Sequence, residues 1–303
     1  MDKFVPESTD IYVHVNLKQM CGSPMIRKVV PKVLDKYGET ILKMAAAQNP
    51  QAAPAQAMWP QFQEMLRDQE KVDQFFDLAA EHVTSIVVAG SSKDEGEVPN
   101  FIVLFGIKDI TADTMSMIAQ QAGAFMPGMF KEEKLGDKEV FALTPPGSPM
   151  GFYIGVPEDG VLAFSPNKKA MTRAMKGGNK EPSFTAEAKS FLKNRTDKCS
   201  IFFTFANKKE EEKGFGQIMF AKDLEVNVVV EFKDAEAAKN KANEANEGIA
   251  SGINQLETMM GEGGDKLKPI LEAIKKAKAK VDGNKVTINH KVTADSVLKA
   301  LKD

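Results

Sequence analysis

Apolar residues along this chain recur in two periods, and the two alternate. IYVHVNL (11–17) sets Ile11, Val13, Val15 and Leu17 against Tyr12, His14 and Asn16, the two-residue period of a half-buried strand. Ser23 then suits a helix cap and Pro24 its first turn. Ile26, Val29, Val30, Val33, Tyr37, Ile41 and Met44 follow at steps of three and four, an amphipathic helix to about Ala47. NPQAAPAQAMWP (49–60) carries three prolines and reads as a loop. A second helix is expected from about 60 to 82, with Trp59, Phe62, Met65, Leu66, Val72, Phe76, Ala79 and Val83 on its apolar side. Residues 24–82 together predict a helical hairpin.

Strand patterns resume at VTSIVVAG (83–90) and FIVLFGI (101–107), and a helix with Met115, Ile118, Ala119 and Ala122 follows. KEVFALT (138–144), FYIGV (152–156) and VLAFS (161–165) read as strands, and Asn167 caps a helix through Met175. KGGNKEPS (176–183) is the best linker candidate. Beyond it the order returns. A short helix (186–193) leads to CSIFFTFA (199–206), GQIMFAKD (216–223) and LEVNVVVEF (224–232). Asp234 caps a long helix, GEGGD (261–265) stops it, and a further helix carries Leu267, Ile270, Leu271 and Ile274. Strand NKVTINHKV (284–292) and helix VLKAL (297–301) close the chain.

Two openings sound alike: STDIYVHVNLKQM (8–20) and RTDKCSIFFTFANKK (195–209). The segments 84–121 and 216–245 both run strand, turn, strand, Lys-Asp, helix, and KLGDKEVFALT (134–144) resembles KVDGNKVTINHKVT (280–293). The pattern predicts an α+β fold, a tandem duplication of an antiparallel-sheet unit with helices on one face. The first repeat, 1–180, carries the hairpin insertion at 24–82; the second is 184–303. The two sheets either join into one or face each other around a pseudo-twofold axis.

Composition narrows the function. The chain has 303 residues, 43% hydrophobic and 27% charged, with net charge −2, which suits globular domains and not the basic surface of a nucleic-acid binder. KKAKAK (275–280) is the local exception and reads as the wet face of a helix. No apolar run reaches the roughly 18 residues that cross a membrane, and no secretory leader is present. The start MDKFVPESTD enters a strand almost at once, which suits either a native start or a mature chain whose leader a start Met has replaced. Cys21 and Cys199 form no disulfide framework or metal cluster; they suit buried free thiols, with one bond between the halves as the alternative.

Catalytic patterns are missing where they would be sought. His14, His82 and His290 lack a presented nucleophile or a zinc spacing, and GSPMG (147–151) puts its Ser in the wrong place for a nucleophile elbow. GEGGDK (261–266) lacks the spacing and hydroxyl of a phosphate loop, and KDEGE (93–97) matches a calcium loop poorly. The expectation is a protein that is not an enzyme and uses no cofactor or metal.

The unexplained feature is apolar. GAFMPGMF (123–130) gathers Phe125, Met126, Met129 and Phe130 about a Pro-Gly turn, and Trp59 follows Met58 at the end of the Pro-rich loop. Methionine serves adaptable binding surfaces as well as irregular cores. These five residues are the expected binding set, facing a protein partner, a second copy, a membrane surface or an apolar ligand. The alternatives are a carrier that holds an apolar or lipid-like ligand between hairpin and sheet, and a hydrolase with a carboxylate site. The opening VPESTDIYVHVNLKQMCGSPMIRK resembles predicted secreted bacterial proteins of unknown function, which implies a periplasmic or secreted location.

Overall fold

The computed structural model of the chain describes residues 1–48, 53–91, 100–125, 130–144, 151–178, 184–260 and 268–302. After a 3-10 turn at Asp2–Phe4 come β1 (Ile11–Asn16), α1 (Leu17–Cys21), α2 (Pro24–Lys28), α3 (Val30–Gln48), α4 (Ala53–Arg67) and α5 (Gln69–His82). They are followed by β2 (Val83–Gly90), β3 (Phe101–Ile107), α6 (Ala112–Phe125), β4 (Phe130–Leu135), β5 (Lys138–Leu143), β6 (Phe152–Glu158), β7 (Val161–Ser165) and α7 (Lys168–Met175). The remainder is α8 (Ala186–Leu192), β8 (Ile201–Asn207), β9 (Glu212–Phe220), β10 (Leu224–Glu231), α9 (Ala235–Met260), α10 (Lys268–Lys275), β11 (Ala279–Asp282), β12 (Lys285–Val292) and α11 (Ala294–Lys302).

The fold is α+β, and its strands make one 12-stranded sheet in the order β11-β12-β10-β9-β8-β1-β2-β3-β7-β6-β5-β4. The strands that carry the two similar openings are neighbours: β1 and β8 pair antiparallel, with Tyr12 opposite Thr204 and His14 opposite Phe202. β2 and β3 follow outward from β1, and β9 and β10 from β8. The β7-β6 pair then stands between β3 and the β5-β4 hairpin, whereas β12-β11 follows β10 directly.

Packing divides the chain differently from the repeat pattern. One compact unit holds Met1–Lys18, Glu81–Thr196 and Ile201–Gly216; the other holds Gln19–Ala80, Asp197–Ser200 and Gln217–Asp303. In unit 1, Ile110, Met115, Ala119, Phe141 and Val156 form a core beneath α6. In unit 2, Met25, Val29, Val292 and Val297 join α2 to β12 and α11. A second cluster sets Ala238 and Ala242 of α9 on Phe232, Ala279 and Val286, small side chains letting a long helix approach its strands closely.

Several expectations are corrected. The helix predicted from 24 to 47 is two helices, α2 and α3. The predicted helix 60–82 begins at Ala53, with Pro60 inside α4, and breaks at Asp68. There Asp68 Oδ1 accepts from the backbone N–H groups of Glu70 and Lys71 and restarts the chain as α5. The Lys-rich 275–280 is no helix face, because α10 ends at Lys275 and Ala279 begins an edge strand. β4 and β11 are additional strands, each closed onto the next by a two-residue turn with a left-handed glycine, Gly136 (φ 75°) and Gly283 (φ 57°). In β1 the buried residue is Tyr12, 0% exposed, while Ile11 is 46% exposed, the reverse of the apolar alternation.

Candidate functional site

Tyr12 stays buried because its hydroxyl is satisfied. It donates to Asp2 Oδ1 at 2.8 Å and accepts from Arg195 Nη1, while Arg195 Nη2 lies 2.8 Å from Asp2 Oδ2. Burial pushes the Asp2 carboxyl up, but the hydrogen bond and charge of Arg195 outweigh it and hold Asp2 below the usual carboxylate range. Burial, reinforced by Asp2, pushes the Tyr12 phenol well above its ordinary value. Burial and the nearby Arg195 lower His14. The edge of the Phe184 ring meets the Tyr12 ring at 5.2 Å. The network ties the first residues of unit 1 to the start of its sheet, and its ionic groups are turned toward one another.

Cys21 and Cys199 are both buried and are not joined in a disulfide. Burial raises Cys21, opposed by the charge of Arg27, which disfavours the reactive thiolate. His290 lies on β12 with its Nε2 buried and unpartnered. Among the described residues no group of three His, Cys, Asp or Glu side chains is placed to hold a metal. GSPMG up to Met150, KDEGE and GEGGDK lie outside the described residues.

The five apolar residues expected to bind separate between the units. Trp59, on α4 in unit 2, is only 8% exposed. Its indole fills a notch in α3 left by Gly38, and the Phe62 ring stands 5.7 Å away. Trp59 therefore clamps α4 to α3, and exposure there falls to Met58 (66%) and Phe62 (37%). The Trp59 Nε1 and the hydroxyl of Tyr37 on α3 are both buried without a hydrogen-bond partner. Phe130 opens β4 in unit 1, half-buried against the core of Met115 and Phe141. Phe125 is the last residue of α6, and Met126 and Met129 lie outside the described residues.

Other large apolar side chains stand exposed, and the helical stripes read from the sequence leave out three of them, Phe75, Leu78 and Met117. Phe75 and Leu78 of α5 are 46% and 58% exposed, whereas Val72 on the predicted stripe is 1% exposed. Met117 and Ile118 of α6 are 57% and 48% exposed, Met117 opposite the buried Met115 and Ala119 and Ile118 at their flank. From Thr114 to Phe130 the chain has no charged residue. For Phe75, Leu78 and Met117 the signal was a large apolar residue off the helical stripe.

Unit 2 also has an open cavity of about 720 Å³ among α3, α4 and α11. Lys32, Lys36, Arg67 and Lys299 line it with Asp35 and Asp295, and Leu298 and Leu301 supply apolar surface.

No protein-family model matches the chain, and no curated protein matches it. Solved structures similar in outline are crystal forms of TP0453. Form III has 8% identity and a TM-score of 0.44, covering 99% of this chain and 96% of that one. Form I has 7% identity and a TM-score of 0.40, covering 99% and 97%, and form IV has 7% and 0.42, covering 99% and 96%. Likeness at that level carries no functional argument.

Proposed function

We propose that the protein is a non-enzymatic binding and assembly protein of the bacterial cell envelope. It docks a partner protein through exposed apolar side chains of α6, with Phe125, Met126, Met129 and Phe130 as the candidates that follow in sequence. The observation that carries this reading is α6 itself. Met115 and Ala119 face the core of unit 1, yet Met117 on the far side and Ile118 at the flank of the core-facing side stand open to solvent. A helix that is apolar on both sides is ordinarily covered on both, and an uncharged stretch from Thr114 to Phe130 suits the dry centre of an interface. The envelope location rests on the resemblance of the opening residues. Among the described residues no helix is long and apolar enough to cross a membrane.

The test is the pair Met117→Ser with Ile118→Ser, both outside the core. The full chain, with a photocrosslinking residue at 118, is expected to trap one discrete protein species in its host, or a second copy at micromolar concentration. The same crosslinker at 118 with Met117→Ser should lose that species, and the double serine variant should keep the wild-type unfolding midpoint. A chain that stays monomeric and gives no discrete crosslink from 118 refutes the reading.

A carrier is the second reading, and the cavity of unit 2 favours it. Its volume lies in the range of ligand pockets, roughly 300–1,000 Å³. It is set among helices rather than between the hairpin and the sheet.

A further inference from the structure

We infer that the cavity of unit 2 binds a phosphate monoester carried on an apolar stem. The inference rests on the carrier reading and adds the chemistry of the ligand. Four cations and two carboxylates line the cavity, a surplus of two positive charges (4 − 2). Not all of these cations are free for a ligand. Arg67 Nε is 2.9 Å from Asp35 Oδ1, so that pair is internally neutral. Gln63 donates to the Asp35 carbonyl at 2.9 Å, which fixes the α3 side of the pair. Lys36 Nζ donates to the Leu301 carbonyl at 2.7 Å, which holds its ammonium at the C-terminal end of α11 with further N–H donors to spare.

Lys32 and Lys299 make no ion pair among the described residues, and both are exposed. They stand on different helices, α3 and α11, facing one cavity. Asp295 lies in the first turn of α11, where the helix dipole already favours its charge. Two unpaired ammonium groups and a third with spare donors thus meet one anion. A phosphate monoester carries about −1.5 to −2 charge near neutral pH and accepts from several donors at once, which matches the surplus. A simple carboxylate would leave about half of it unmatched.

The apolar surface has a separate role. Leu298 and Leu301 line the cavity, and Leu298 packs against the core formed by Met25, Val29, Val292 and Val297. An anion without a stem leaves these leucines uncovered. An acyl or alkyl chain covers them at about 0.8 kcal/mol for each methylene removed from water.

The probes are octyl phosphate, octyl glucoside and inorganic phosphate, titrated calorimetrically into the full chain below micelle-forming concentrations. The expected result is one octyl phosphate per chain, bound at least tenfold tighter than either other probe and weakening with added salt. Lys32→Glu with Lys299→Glu should lower that affinity tenfold or more while leaving the fluorescence of Trp59, and so the α3–α4 packing, unchanged. Equal binding of octyl glucoside overturns the phosphate assignment and leaves a carrier. Equal binding of inorganic phosphate assigns the site to a free oxyanion and overturns the stem. If none of the three binds, or if the lysine variant binds octyl phosphate unchanged, the inference fails; with no binding of either amphiphile the carrier reading fails too.

Discussion

Gly38 tests the packing of α3 on α4 with a sign opposite to that of an ordinary helical glycine. On an open helix surface, glycine to alanine gains about 1 kcal/mol from backbone entropy and propensity. Here an added Cβ meets Trp59 Cη2 at 1.9 Å, Cζ2 at 2.3 Å and Cζ3 at 2.8 Å. Carbon atoms rest at about 3.5 Å, so the indole must retreat by more than 1 Å from its notch. Overpacking of this kind costs about 1–3 kcal/mol. Partial exposure of a side chain now 8% exposed adds to it. Gly38→Ala should therefore destabilise unit 2 by about 1–2 kcal/mol net of the propensity gain. Trp59→Ala should cost about 3 kcal/mol or more on its own. With the indole gone, Gly38→Ala should turn stabilising by about 1 kcal/mol, which makes the coupling in a double-mutant cycle about 2–3 kcal/mol. Urea unfolding followed by circular dichroism measures all four proteins. Trp59 is the sole tryptophan, so its emission reports the notch directly and should shift to the red in Gly38→Ala. An unchanged or raised midpoint for Gly38→Ala in the wild-type background refutes the clamp.

Two further outcomes follow from the hydrogen-bond geometry. Arg195→Met strands Asp2 and Tyr12 and should destabilise unit 1 by about 1–3 kcal/mol in urea melts at pH 7, less than a fully buried pair because both ionic groups keep some water contact. Asp2 is held below its ordinary pKa, so its contribution is present above about pH 4 and is lost as pH falls through the folded value; Arg195→Met should flatten that acid limb, and an unchanged limb assigns the acid lability elsewhere. Ser23 Oγ accepts from the N–H groups of Met25 and Ile26 at 3.1 and 3.4 Å and donates to the Ala221 carbonyl at 2.8 Å. Ser23→Ala should cost about 1–2 kcal/mol, and Ser23→Asp, which keeps the cap acceptor but cannot donate to Ala221, should recover only part of it.

Strand and helix identity could be read from the chain wherever one apolar stripe met one core. β3 shows this: Ile102 and Leu104 are 0% exposed, and the residues between them are half-buried. The reading failed where a polar group carried the burial. Nothing in IYVHVNL says that Tyr12 lies inward, because its position is set by Asp2 and by Arg195, 183 residues away. It failed again where small residues decided a contact: Gly38 belongs to no apolar stripe, yet it is the seat of Trp59. β4 and β11 escaped because their charged residues mask the period of two, as edge strands need in order to avoid pairing with other chains. At β11 the guard is structural as well. Asn246 of α9 donates to the Ala279 carbonyl at 3.3 Å and accepts from its N–H at 2.8 Å, occupying hydrogen-bonding groups of the outermost strand.

The candidate surfaces obey the same logic. A stripe of apolar residues announces a core, so the residues that announce a binding surface are those it cannot absorb. Phe75 and Leu78 on α5 and Met117 on α6 are of that kind. Trp59 was the most conspicuous apolar residue in the chain, and the fold uses it internally. The basic cavity was invisible for a different reason. Lys32 and Lys36 lie one turn apart on α3, but Lys299 reaches the same space from α11, and only the packing of α11 against α3 gathers these charges into one place.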